Sequence, residues 1–133
     1  MSSRLAAVSL LSLMLTGCPS MHVNATVTAA PSPAAARGSE RAGPAERLAG
    51  ASVSMDCPQA FGGDGKSLLG RTDAGGELHF REPGPGRWIH DACDLVVEMP
   101  GFQERRLPVA SVCKEYSGNH CIHAVVTAQL VRR

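Results

Sequence analysis

His120-Cys121-Ile122-His123, with Cys113 just upstream, is the densest group of potential ligands in the chain. Imidazole nitrogens and thiolates are ordinary zinc ligands, and on a strand Cys121 and His123 would share a face. A metal- or small-ligand-binding site made of Cys113, His120, Cys121 and His123 is therefore one expectation. Oxidation is the competing chemistry for the same cysteines. The five Cys stand at 18, 57, 93, 113 and 121, and the last four form an even set. A second candidate is Ala60-Phe61-Gly62-Gly63-Asp64-Gly65-Lys66-Ser67, which fits a permissive phosphate-loop pattern with Lys66 in the phosphate-contacting position. Such a loop must open a helix whose N–H groups face the phosphates. Here Ser67-Leu68-Leu69 runs straight into Gly70, so a Gly-rich loop that binds no nucleotide is expected. No Ser–His–Asp order or carboxylate pair can be placed: Glu98 falls on the outward face of its strand and Asp73 in a turn. His79 reads as an outward strand residue, His22 and His90 as solvated, and Trp88 as partly buried in a core poor in aromatics. The residues thus predict no enzyme, no cofactor and no resident metal.

The N-terminus sets the compartment. Met1-Ser2-Ser3-Arg4 is short and positive, and an apolar run of about 11 residues follows, too short to span a bilayer. It ends in Leu15-Thr16-Gly17-Cys18. That tetrapeptide resembles the bacterial lipoprotein signal, in which Leu and a small residue precede Gly or Ala and then Cys. The resemblance implies cleavage before Cys18, a diacylglyceryl thioether on its sulfur, and acylation (palmitate or a similar chain) of its new amino group. Several acyl chains at about 0.8 kcal/mol per CH₂ make the anchor essentially permanent. Pro19 stands where an Asp would retain such a protein at the inner membrane, so the outer membrane is implied. The compartment is oxidising, which favours disulfides over zinc for Cys57, Cys93, Cys113 and Cys121.

The elements that must position these groups read as follows. Residues 1–17 are the signal peptide. Residues 18–47 are the lipidated Cys and a linker rich in Ala, Pro, Ser, Thr and Gly, as in Ala29-Ala30-Pro31-Ser32-Pro33. That composition cannot offset its ordering entropy, and as a coil it would hold the domain about 30 Å from the lipid. Val23 and Val27 suggest at most an incidental β contact. Residues 48–133 form one small domain. Aromatics are 4% of the chain against 14 Gly and 9 Pro, which favours short strands and turns. Thirteen Lys and Arg balance twelve Asp and Glu, so no basic field exists for nucleic acid. Strands are predicted at 51–57, 67–72, 77–80, 87–89, 93–99, 105–113 and 122–131. That is about seven strands and no convincing helix, an all-β sandwich. Asp73-Ala74-Gly75-Gly76 predicts a tight hairpin, and Pro100-Gly101 a type II turn with Gly at positive φ.

Three segments carry a family resemblance. They are Gly50-Ala51-Ser52-Val53, then Thr72-Asp73-Ala74-Gly75-Gly76 leading to Phe80, then the strand that ends in Pro100-Gly101-Phe102. In that order they resemble the carboxypeptidase regulatory-like family, a transthyretin-like β-sandwich, across nearly the whole of 48–131. The resemblance implies that Thr72, Asp73, Gly75, Gly76, Pro100 and Gly101 are structural, and that the module is an accessory without catalysis. The metallocarboxypeptidase's own zinc signature is absent.

Four cysteines allow three pairings. Parity and proximity favour Cys57–Cys93 and Cys113–Cys121. Cys57 continues the inward series Val53, Met55, and Cys93 begins the inward series Leu95, Val97. Cys113 ends one strand and Cys121 opens the next, across a polar loop at 114–120. The function expected is a lipid-anchored, non-catalytic envelope module that contacts an envelope protein or a glycan.

Overall fold

A computed structural model describes residues 21–31, 44–58, 65–82 and 89–133. The signal segment, Cys18, residues 60–64 of the Gly-rich loop and Trp88 lie outside the described residues. The elements are β1 (Met21–Ala29), β2 (Ser52–Cys57), β3 (Gly65–Arg71), β4 (Glu77–Glu82), β5 (Ile89–His90), β6 (Asp94–Glu98), β7 (Arg105–Pro108), a helical turn α1 (Val109–Val112), β8 (Cys113–Ser117) and β9 (His120–Leu130). They form two sheets. Sheet A has the order β4-β1-β9-β5, with β8 also paired to β9, and sheet B has the order β3-β2-β6-β7. The inward series of both sheets, Val23, Val27, Val126 and Leu130 against Val53, Leu95 and Val97, make one aliphatic core. The chain is an all-β sandwich, as its alternating patterns predict.

The largest departure from the sequence reading is β1. Residues 21–29 were expected in the linker, yet they form a strand hydrogen-bonded on both sides. β1 is antiparallel to β4 (His22↔Arg81, Asn24↔His79) and parallel to β9 (His22↔His123 through Ala29↔Leu130). Met21, Val23, Ala25, Val27 and Ala29 alternate into the core, while His22, Asn24 and Thr26 face outward. Small side chains on a period of two are enough when neighbours on both edges and a second sheet supply the burial. The sandwich therefore includes Met21–Ala29, ahead of the boundary expected at residue 48.

Four smaller corrections concern the connections. The turn at 73–76 does not close a hairpin of one sheet, because β3 pairs with β2 and β4 pairs with β1; it carries the chain from sheet B to sheet A. Residues 105–113 are not one strand, since α1 separates β7 from β8. Residues 114–117, expected in a loop, belong to β8, an outer strand with its side chains mostly in solvent. A burial pattern with so little apolar content leaves no period to read. His90, also expected in a loop, has its backbone in β5, paired with His120.

Both turns are built from their own polar groups. The Asp73 carboxylate accepts from the Gly75 and Glu77 N–H groups at 2.9 and 3.0 Å. Gly76 has φ of 73°, and a Cβ there would sit 2.8 Å from the Val27 carbonyl oxygen. The buried Thr72 hydroxyl donates to Leu48 O at 2.6 Å and accepts from Ala51 N at 2.9 Å. At Pro100-Gly101 the Phe102 N–H donates back to Met99 O at 3.1 Å, with Gly101 at φ of 84°.

Each sheet carries one disulfide. Cys57–Cys93 ties the end of β2 to the entry of β6 in sheet B, and Cys113–Cys121 ties β8 to β9 in sheet A. Both sit toward the end of the sandwich where β1 begins. The opposite end gathers the 72–76 turn, the Pro100-Gly101 turn and residues 130–133.

Candidate functional site

The outward rows of β4, β1 and β9 meet in an imidazole–amide cluster at the centre of sheet A. Antiparallel register puts His79 opposite Asn24, and parallel register puts His123 opposite His22. The Asn24 amide bridges two rings: its Oδ1 lies 3.0 Å from His79 Nδ1, and its Nδ2 lies 3.2 Å from His123 Nε2. The ring roles follow from this orientation of the Asn24 amide. His79 Nδ1–H donates to the amide oxygen, and His123 Nε2 accepts from the amide nitrogen. His22 meets His123 edge-on, with ring centroids 6.1 Å apart. Further along, Thr26 stands level with Thr127 and Thr28 with Gln129. The rows of β1 and β9 present amides, hydroxyls and imidazoles, with Val125 opposite Asn24, and no carboxylate or ammonium.

An amide between two imidazoles orients them but relays no proton, so the cluster suits hydrogen-bonded recognition better than acid–base catalysis. Glu77 Oε2 comes no closer than 3.8 Å to His79 Nε2, both in solvent. Among the described residues no group of three His, Cys, Asp or Glu side chains is placed to share a metal ion.

The sequence-derived alternative of a ligand set Cys113, His120, Cys121 and His123 is corrected by the disulfide. With Cys113 and Cys121 bonded to each other, neither supplies a thiolate. His123 turns instead to Asn24 across the sheet. Lys66 lies on a strand, β3, where a phosphate loop needs a helix, and its ammonium meets Glu98 at 2.6 Å. Asn24 was missed, and His22 was set aside as a tether residue. The signal was present as His22-Val23-Asn24, two polar groups spaced for one strand face, but it sat inside a segment read as linker.

The outer face of sheet B is built differently. Arg106 reaches Asp56 at 2.9 Å, Glu104 at 2.9 Å and Asp94 at 3.5 Å. The hydrogen bond to Asp56, together with nearby Glu104, holds its guanidinium above the ordinary value. Val96 and Ser54, on this outward face, are nonetheless buried beneath these long side chains. A groove of about 360 Å³ opens at the end of the sandwich, between Arg71, Glu98, Met99, Phe102, Glu104 and Arg133. Several of its polar groups are engaged: Glu98 by Lys66, Glu104 by Arg106, and Arg133 by the Phe102 carbonyl.

No protein-family model and no curated protein matches the chain. Among solved structures, domains D2 and D3 of the major pilin SpaD from Corynebacterium diphtheriae are similar at 11% identity with a TM-score of 0.35, over 85% of this chain and 47% of that one. The chain thus spans about half the length of that pilin fragment.

Proposed function

We propose that the protein is a lipid-anchored, non-catalytic module of the bacterial cell envelope, held at the outer membrane through Cys18, that recognises a protein or glycan partner with the outer face of sheet A. Leu15-Thr16-Gly17-Cys18 at the end of an apolar run carries this reading. Two disulfides support it, because they persist in oxidising compartments. The polar face centred on Asn24, where β4 adds Glu77 and Arg81 on either side of His79, supports recognition, since its amide and imidazole groups can donate and accept hydrogen bonds. The carboxypeptidase regulatory-like reading of the sandwich rests on its three motif segments, which lead into β2, link β3 to β4 and follow β6.

The anchor is tested with Cys18→Ala. The variant should accumulate unprocessed or in the soluble fraction, and lose incorporation of labelled palmitate. If it still partitions with membranes at the processed mass, the anchor is wrong. Recognition is tested by mild crosslinking of intact cells, where Asn24→Ala should reduce the crosslinked partner and Arg106→Ala should not.

A further inference from the structure

The position of β1 has a geometric consequence for the anchored protein. Two residues, Pro19 and Ser20, separate Cys18 from the first residue of a strand fixed on both sides. Three residue steps span at most about 11 Å, whatever their conformation. A disordered linker of the expected length would have allowed about three times that distance. The end of the sandwich that carries Met21 must therefore stay close to the lipid.

Register identifies what else lies at that end. His22 pairs with His123, so Met21 is level with Ile122. The tip of the β8–β9 turn, Gly118-Asn119, lies three residue steps beyond that level, the same number of steps as from Met21 back to Cys18. Tyr116, on the same hairpin, is 45% exposed. An amphipathic ring of this kind favours the headgroup region, with its ring in the apolar boundary and its hydroxyl in water. We propose that the β8–β9 hairpin, with Tyr116 and Gly118-Asn119, rests on the bilayer surface, and that the sandwich stands upright with the 72–76 turn and the Arg71–Glu104 groove pointing away from the membrane. This inference rests on acylation of Cys18. β1 has nine residues at roughly 3.3 Å each, so the distal turns stand about 30 Å further out.

The experiment uses the purified lipidated protein in vesicles of phosphatidylethanolamine and phosphatidylglycerol that contain a headgroup-quencher lipid. A fluorophore is attached without reductant at Asn119→Cys or at Ala74→Cys, both exposed turn positions. The probe at 119 should lose most of its emission and the probe at 74 should keep it. An insertion of about a dozen Gly and Ser residues between Ser20 and Met21, which lets the domain lift by ~20 Å, should restore the emission at 119. Equal quenching at both positions, or no response to the insertion, overturns the upright orientation. Mass analysis of the N-terminal peptide separates the two readings: an unmodified Cys18 overturns the anchor and the orientation together.

Discussion

Sheet A and sheet B bury the same kind of core and present opposite exteriors. The centre of sheet B is β6, Asp94-Leu95-Val96-Val97-Glu98, whose outward Val96 is roofed by crossed ion pairs around Arg106. The centre of sheet A is β1, whose outward His22, Asn24 and Thr26 face Arg81, His79 and Glu77 of β4 on one side and His123 and Thr127 of β9 on the other, with the Asn24 amide between two imidazoles. Sheet B's charges are engaged with one another, so that face is shielded by its own side chains. On sheet A the Asn24 carbonyl oxygen has a second lone pair, and the His79 and His123 rings each have a second nitrogen besides the one that meets Asn24. The difference teaches that outer faces of one sandwich can be specialised without altering the core.

The comparison can be broken most severely through β1. Deleting residues 21–29 should abolish the cooperative thermal transition of the non-lipidated protein, since β4 and β9 would lose their common neighbour. An unchanged melt would return these residues to a tether. Within the strand, Val23→Ala should cost about 2 kcal/mol, read as a shift in the denaturation midpoint.

The disulfides sharpen it next, one sheet at a time. Cys57–Cys93 spans 36 residues and Cys113–Cys121 spans 8. In the chain-entropy model their removal as paired Ser substitutions costs about 4 and about 2.5 kcal/mol. Denaturant titration of the two double variants should keep that order. Reversal would mean that the β8–β9 link contributes to native packing beyond loop closure.

Salt gives the smallest and most specific test. Arg106→Ala should lower the melting temperature at low ionic strength, and the loss should shrink in 1 M salt, where the screening length is about 3 Å. Asn24→Ala should cost about 1 kcal/mol through two neutral hydrogen bonds, with no salt dependence. Equal salt sensitivity in the two variants would erase the distinction between the faces.

How much of this was legible depended on which signal each segment carried. β2, β4 and β6 combine apolar alternation with turn residues at their ends, so their approximate positions and the sandwich class could be read directly. The pairing of cysteines was also legible, because parity along two strands placed Cys57 and Cys93 on the same side. β1 carries an equally strict alternation, but its inward residues include two Ala and it runs into Ala30-Pro31-Ser32-Pro33; composition outweighed period. β8 has Lys114, Glu115 and Tyr116 in solvent and owes its strand to pairing with β9, which local sequence does not encode. The Asn24 cluster depends on register between strands about 55 and 99 residues apart, so it emerges only once β1 is in place.

The pairing of β1 with β9 also governs when the molecule can be finished. His22 and His123 are separated by 101 positions, and closing so long a loop costs about 4 kcal/mol in chain entropy before the pairing repays it. A chain that emerges N-terminus first presents β1 before either of its neighbours, β4 and then β9. Until β9 emerges, β1 is an open strand edge with alternating apolar side chains, a form prone to pairing with other chains. Sheet A closes late, and a holdase that shields an open strand edge would have its greatest effect in that interval.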